Sequence, residues 1–350
     1  MVKSQVSTPT IRAAGLLGFQ RLVADLGGDT DALLKAANTD PEALRYPDNR
    51  ISYAAMITML EDSARALDCP DFGLRLSGFQ DIDILGPAAM IAHYSDTVGA
   101  SLEAIATFMH VHTDGAAVQL LQSDENIASL TFEVLAPGLH AQPQINELSL
   151  GIGQSLLEMF FGQGFRSQYV QFTHRRPPDT RSLTRRFGPH LSFGHAVNAL
   201  TFPRTRLATP IATANPEFRD IAVNYIRDHL GGTEGNRVRR VVLLVHQLLP
   251  TGRCSLQAVS DILVMHPRTL QRELRSTGVD FRRIVDRARR ELVTDYLVNS
   301  DASLTRVAAM LGYGDQAAFN NAFKRWYGVP PGQWRHQAKG RRTGFLDSML

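Results

Sequence analysis

Two cysteines in 350 residues, Cys69 and Cys254, are too few and too far apart for a disulfide framework. Such sparse use of cysteine fits a reducing compartment. No apolar run approaches the roughly 20 residues that a membrane span needs. The opening MVKSQVSTPTIRAAG has no apolar core of the kind that directs export, so a cytoplasmic location without a membrane partner is expected. There is also no Gly-rich phosphate loop ending in Lys-Ser/Thr. With 44% apolar and 20% charged residues, the chain can bury ordinary cores, and its length suits more than one domain.

The charge that is present is unevenly placed. The net total is only +3. Residues 234–350 hold 19 Lys/Arg against 10 Asp/Glu, a net of +9, whereas residues 1–233 carry a net of −6. A basic last third on an acidic body points to a polyanionic partner for that third, nucleic acid before membrane surface.

Periodicity divides the chain at the same place. In the first part, residues 11–40 read as helix ended by Gly27-Gly28, with a second helix from Ser52 to Leu67. Asp71–Leu76 leads through a linker to a helix from Leu85 to Ser95, and Ser101 is the expected N-cap of a helix over 102–110. Val118–Gln122 and Ala128–Val134 alternate apolar and polar residues about a polar turn, which predicts a β-hairpin. A helix over about 144–163, a strand within 167–174, a helix over 180–187 and short strands within 191–204 follow. HLGGTEGNRVRR, residues 229–240, is glycine-rich, polar and set where the charge changes sign, so it reads as the linker. Beyond it only helices are predicted: 237–248, 255–264, 267–276, 280–298, 303–311 and 315–327. The expected fold is an α+β domain over 1–228, a linker over 229–236, an all-α domain over 237–337 and a basic tail over 338–350.

One unit occurs twice in the all-α part, at 255–278 and 303–328. Each copy has a Ser N-cap followed by Leu, a short helix, a turn, and a second helix ending at Gly278 or Gly328. Val259, Leu263, Leu270 and Leu274 of the first copy match Val307, Leu311, Phe319 and Phe323 of the second. That spacing buries one face of two crossed helices and leaves the outer face of the second helix polar, a helix-turn-helix signature. The 19-residue helix between the copies would be roughly 28 Å long, about the span needed to set two recognition helices one DNA turn apart.

These residues carry a resemblance. HPRTLQREL in the first copy, RARRELVTDYL between, and AAMLGYGDQAAFNNAFKRWYGVPPGQWR in the second resemble the paired helix-turn-helix domain of AraC/XylS-type transcription regulators. DCPDFGLRLS, LGPAAMIAHYSDTVGASLEAIATF and FGPHLSFGHAVNALTFPR are similar to the arabinose-binding-type domain that some of these regulators carry, over roughly residues 20–215. The resemblance implies a sequence-specific DNA-binding regulator without enzymatic activity. Its partners would be double-stranded operator DNA, a small-molecule effector, a second copy of the chain and, if it activates, RNA polymerase. No cofactor is implied.

Within the first copy, Arg268, Gln271 and Arg272 lie on the outer side of the second helix, where arginine can pair with guanine and glutamine with adenine. The resemblance places base contacts at these positions. His266 stands where the family usually has a capping serine; imidazole caps more weakly, and a surface histidine is the preferred reading. In the second copy, Gln316, Asn320, Asn321 and Lys324 are expected on the outer face, with Arg325 beside them. The family usually has arginine where Asn321 stands, so this unit has lost a strong contact or reads adenine. Gly312 is expected to end the first helix of this copy, and Trp326 to pack in the core. Arg335, Lys339, Arg341 and Arg342 are equally phosphate neutralisers or a solvated tail.

Catalysis finds little support. His93, His110, His112 and His140 have no carboxylate at a familiar metal-ligand spacing, and no metal site is expected. GIGQS, residues 151–155, reads as helix packing. Two cysteines also exclude the four-cysteine zinc site with which a related class of DNA-binding proteins performs alkyl transfer. The alternatives to an effector sensor are a first domain that only pairs subunits, or an enzyme fused to a DNA-binding tail. The apolar stripe of 144–163 serves core packing by default and a dimer face as the lesser reading.

Overall fold

The computed structural model describes residues 9–122, 126–135, 139, 141–229, 238, 241–242, 244–246, 248–249, 252, 254–263, 265–299 and 302–337. His140, Lys339, Arg341, Arg342, most of the expected linker and part of the hairpin turn lie outside these residues. The chain forms two compact units, Met1–Leu230 and Gly231–Leu350.

The first unit is mixed helix and sheet. Strand β1 (Thr10–Arg12) pairs antiparallel with β2 (Arg50–Ser52), Ile11 opposite Ile51. Between them lie α1 (Phe19–Asp25) and α2 (Thr30–Ala36). Residues 11–40 are thus not one helix. Gly18 and Gly27 adopt positive φ on either side of α1, and the Asp29 carboxylate restarts the chain by capping Ala32 N–H. Helix α3 (Tyr53–Ala66) follows, capped by Ser52 on Ala55 N–H. The stretch expected as lead-in to a linker is a helix, α4 (Phe72–Ser77).

Helix α5 (Pro87–His93) precedes α6 (Val98–His112). The cap of α6 is Thr97, bound to Ala100 N–H, and not Ser101, which is buried one turn inside. The hairpin is β3 (Ala116–Gln122) with β4 (Ile127–Val134), and α7 (Pro143–Phe161) follows. Then come β5 (Tyr169–Gln171), α8 (Arg181–Phe187), β6 (Leu191–Ser192) and β7 (Asn198–Pro203). The sheet order is β3-β4-β7-β5-β6, antiparallel except for β5 with β6. Register aligns Leu120, Leu130, Leu200, Val170 and Leu191 in one row across all five strands, which gives the sheet its apolar face.

Helix α9 (Pro216–His229) has no counterpart among the sequence expectations. Ala222 and Ile226 pack it on Ile91 of α5 and Val111 of α6. Val223 is half-buried beside them, while Phe218, Ile221 and Tyr225 are exposed.

Two cores serve this unit. One lies against the sheet, with Leu102, Leu130, Leu157, Phe172 and Phe202; the other gathers Phe19, Leu34, Met56, Leu60 and Phe72. Helix α7 feeds both, through Leu150 and Leu157 on one side and Ile145 and Leu148 on the other, so its apolar stripe is core. GIGQS lies within α7, where a Cβ on Gly151 would come 2.2 Å from Ser77 Oγ of α4, so the crossing needs glycine there.

The second unit is helical in its described residues. Val241, Leu244, Val245 and Leu249 are buried in its core. Helices α10 (Leu256–Ile262), α11 (Pro267–Ser276), α12 (Phe281–Asn299), α13 (Leu304–Met310) and α14 (Gln316–Tyr327) follow. Of the eight apolar positions matched between the repeats, seven are fully buried and Leu263 is half-buried. Among the described residues, no helix is long and apolar enough to cross a membrane.

Candidate nucleic-acid interface

Ser255 caps α10 at Ala258 N–H (3.0 Å), and Ser303 caps α13 at Arg306 N–H (3.2 Å), as the repeated serines require. Helix α10 packs on α11, and α13 on α14. His266 is exposed but also a cap: its Nδ1 accepts from Arg268 N–H at 3.2 Å, with Pro267 in the first turn. Asp315 caps α14 at Ala318 N–H (2.7 Å). At the far end Gly328 sits at φ +77° and donates to Lys324 C=O at 2.8 Å. The left-handed turn there favours glycine. Lys324 and Arg325 lie in that last turn, where cations complement the helix dipole.

Burial sorts each second helix into two faces. On α11, Leu270 and Leu274 are buried, while Arg268, Gln271, Arg272 and Arg275 are exposed at spacings of 3, 4 and 7. Such residues form one stripe. Arg275 was not singled out from the sequence, although its distance of seven residues from Arg268 already marks it. On α14, Phe319, Ala322 and Phe323 are buried, and the exposed stripe is Ala317, Asn321, Lys324 and Arg325.

Gln316 and Asn320 fall on the flank of α14 and not on its outermost line. Both are half-buried. Gln316 Oε1 accepts from Thr305 Oγ1 of α13 at 2.6 Å, which fixes the amide and leaves its NH₂ available. Asn320 Oδ1 is buried with no hydrogen-bond partner among the described residues. Trp326 is half-buried beneath the Arg290 guanidinium, 5.3 Å from the ring centroid. Arg335 is half-buried.

The turn before α14 is held by a residue that the sequence reading passed over. Arg289 of α12 donates to Leu311 C=O (2.9 Å) and Gly312 C=O (3.0 Å), and its guanidinium lies 4.3 Å from the Tyr313 ring centroid. Gly312 itself follows the end of α13 at φ +68°. On α12, Glu291 is bound by His246 (3.2 Å) and Arg287 (2.8 Å), which lower its carboxyl to about 2. Nothing in RARRELVTDYL distinguishes these staples from ordinary solvated charges.

In the first unit, His110 and His112 are in the last turn of α6, and both are buried. His93 lies 3.6 Å from Asp83. Among the described residues, no group of three or more His, Cys, Asp or Glu is placed to hold a metal ion.

A compact helical unit with capped, basic, outward-facing second helices, joined to an α+β unit, defines a helix-turn-helix transcription regulator. Residues 27–211 match the arabinose-binding domain of AraC transcription regulators, and residues 259–337 match a helix-turn-helix domain. The chain belongs to the AraC family of transcription regulators. It is 35% identical over 328 residues to the HTH-type transcriptional regulator VirS of Mycobacterium tuberculosis, covering 93% of this chain and 96% of VirS. It is 28% identical over 322 residues to the ornithine utilization regulator of Pseudomonas aeruginosa, covering 90% and 93%. The crystal structure of the transcriptional regulator CdpR from P. aeruginosa is similar over 91% of this chain and 98% of that one, with 20% identity and a TM-score of 0.44.

Proposed function

We propose that this regulator reads operator DNA with two helix-turn-helix units, α10–α11 and α13–α14, whose second helices enter two successive major-groove segments. The observation that carries this is the matched pair of faces. Buried Leu270 and Leu274 lie opposite exposed Arg268, Gln271 and Arg272, and buried Phe319 and Phe323 lie opposite exposed Asn321, Lys324 and Arg325. Gln316 and Asn320 then serve the edge of the second reading surface, through amide groups that base edges or phosphates can meet. Footprinting on the DNA upstream of its own gene should show two protected patches about one helical turn apart on one face of the duplex. A single patch would mean that α14 does not read DNA.

The first unit, on this proposal, senses a small molecule and pairs two copies of the chain; if the regulator activates, RNA polymerase is its further partner. Pairing is supported by the exposed stripe Phe218, Ile221 and Tyr225 on α9, which continues through the stacked pair Phe218 and Tyr94 (5.1 Å). Ile221→Asp should shift the sedimentation of a dimer toward monomer while leaving the melting temperature nearly unchanged.

A further inference from the structure

We propose that the effector site lies between the two cores of the first unit, and that it takes a small, uncharged, mostly hydrocarbon molecule bearing one hydrogen-bond donor, of the alcohol or phenol class. This rests on the effector-sensing reading above and names its site and chemistry.

A cavity of about 100 Å³ lies there. Its walls come from both cores: Met56, Ile145 and Leu148 on one side, Ile105, Leu130 and Leu156 on the other. Among the described residues, no Lys, Arg, Asp or Glu lines it. The volume is below the roughly 150 Å³ of a dry apolar cavity that admits benzene. Met56 and Met109 both line it, and unbranched thioether side chains can repack to fit a guest of that size.

Among the described residues, two polar atoms in this lining have no partner, and both are acceptors. Gln80 is 5% exposed; its Nε2 donates to Gly15 C=O (2.9 Å) and Leu17 C=O (3.0 Å), which fixes the amide and leaves Oε1 buried and unpaired. His112 is 6% exposed and hydrogen-bonds the Ile84 carbonyl, so its unpaired Nδ1 is the bare ring nitrogen. Burial, with the Arg12 and Arg50 charges nearby, keeps this ring neutral by lowering its pKa to about 3.

Neither arginine belongs to the lining. Arg12 is engaged by Asp48 and Ile84 C=O, and Arg50 by the carbonyls of Val111 and His112. A buried acceptor without a donor is costly, so a ligand that brings an O–H relieves that cost, whereas a carboxylate faces two lone pairs. An apolar guest without a donor fills the space but leaves both atoms unpaired.

The test is thermal shift on the full-length protein with phenol and 1-hexanol as probes, anisole and benzoate as controls, and a panel of polar metabolites. At about 100 times Kd, phenol or hexanol should raise Tm by several degrees. Anisole should need at least tenfold higher concentration, and benzoate should give no rise. Filling the cavity with Ile105→Trp, or more gently with Leu156→Phe, should abolish the response. Equal shifts from anisole, or a shift from benzoate, would overturn the assignment of ligand class. A polar metabolite that raises Tm equally in wild type and both filled variants would overturn the site while leaving effector sensing in place. No shift from any compound would sink the sensing reading itself.

Discussion

Asn321 stands where the resemblance to AraC/XylS-type regulators leads one to expect arginine. It is exposed on the polar stripe of α14, and asparagine can bond N6 and N7 on the major-groove edge of adenine whereas arginine pairs with guanine. We expect Asn321→Arg to change base preference at one position of the second half-site by about 1–3 kcal/mol, measured by competition binding with substituted operators. Unchanged affinity and preference would show that residue 321 does not face bases. Its place on the exposed face was legible in the sequence. The buried pair Glu147 and His174 was not, because neither lies in a motif. Burial raises the Glu147 carboxyl to about 8, helped by the Asp71 and Glu61 charges, and lowers the His174 ring. Their 3.7 Å approach is therefore a contact between neutral groups and not an ion pair.

The sign of the resulting pH dependence follows from linkage. An unfolded glutamate ionises near 4.5 while folded Glu147 holds its proton to about 8, so stability falls as pH rises between these values. The lowered His174 and His112 act oppositely, costing stability as pH falls below 6.5. Between pH 6.5 and 8 the Glu147 contribution stands apart. There the wild type should lose on the order of 2 kcal/mol, and Glu147→Gln should flatten the slope in chemical denaturation followed by a probe in the first unit.

At the scale of elements, packing decides more than propensity. Two adjacent asparagines are poor helix formers, yet α14 holds because Phe319 and Phe323 are fully buried and stack edge-on at 5.8 Å. Phe323→Ala should cost about 3–5 kcal/mol and melt the second unit early in calorimetry. Arg289→Met keeps the aliphatic stem but frees the Leu311 and Gly312 carbonyls. It should weaken binding at the α14 half-site more than at the α11 half-site, which footprinting of the variant would show.

The repeated 255–278 and 303–328 pattern was legible because the same apolar spacing occurs twice with the same capping serine. Helix α9 was not: PEFRDIAVNYIRDH is strongly polar, and three of its apolar residues face outward. The cap of α6 was misplaced because Thr97 and Ser101 are both competent caps one turn apart. Only the tertiary fold buries Ser101. For the same reason the effector cavity could not be read from sequence: Gln80 and His112 come from elements more than thirty residues apart.

Across the whole molecule, charge is segregated by unit, and the basic excess belongs to the one with the repeated helices. On the proposed reading of DNA, exposed Arg268, Arg272, Arg275, Arg306, Lys324 and Arg325 divide into two kinds. Those meeting phosphates release counterions, about 0.9 in the slope of log affinity against log salt for each. Those meeting base edges carry discrimination with little salt dependence. If four of the six meet phosphates, the slope should be at least as steep as about −3.6. Arg325, in the last turn of α14, is the candidate for phosphate; Arg268, in the first turn of α11, is the candidate for a base edge. Arg325→Ala should weaken every operator variant alike and reduce the slope by about 0.9. Arg268→Ala should leave the slope almost unchanged and relax selectivity at one base pair by about 1–3 kcal/mol. If Arg268→Ala changes only the slope, Arg268 grips the backbone, and base reading by α11 falls to Gln271 and Arg272.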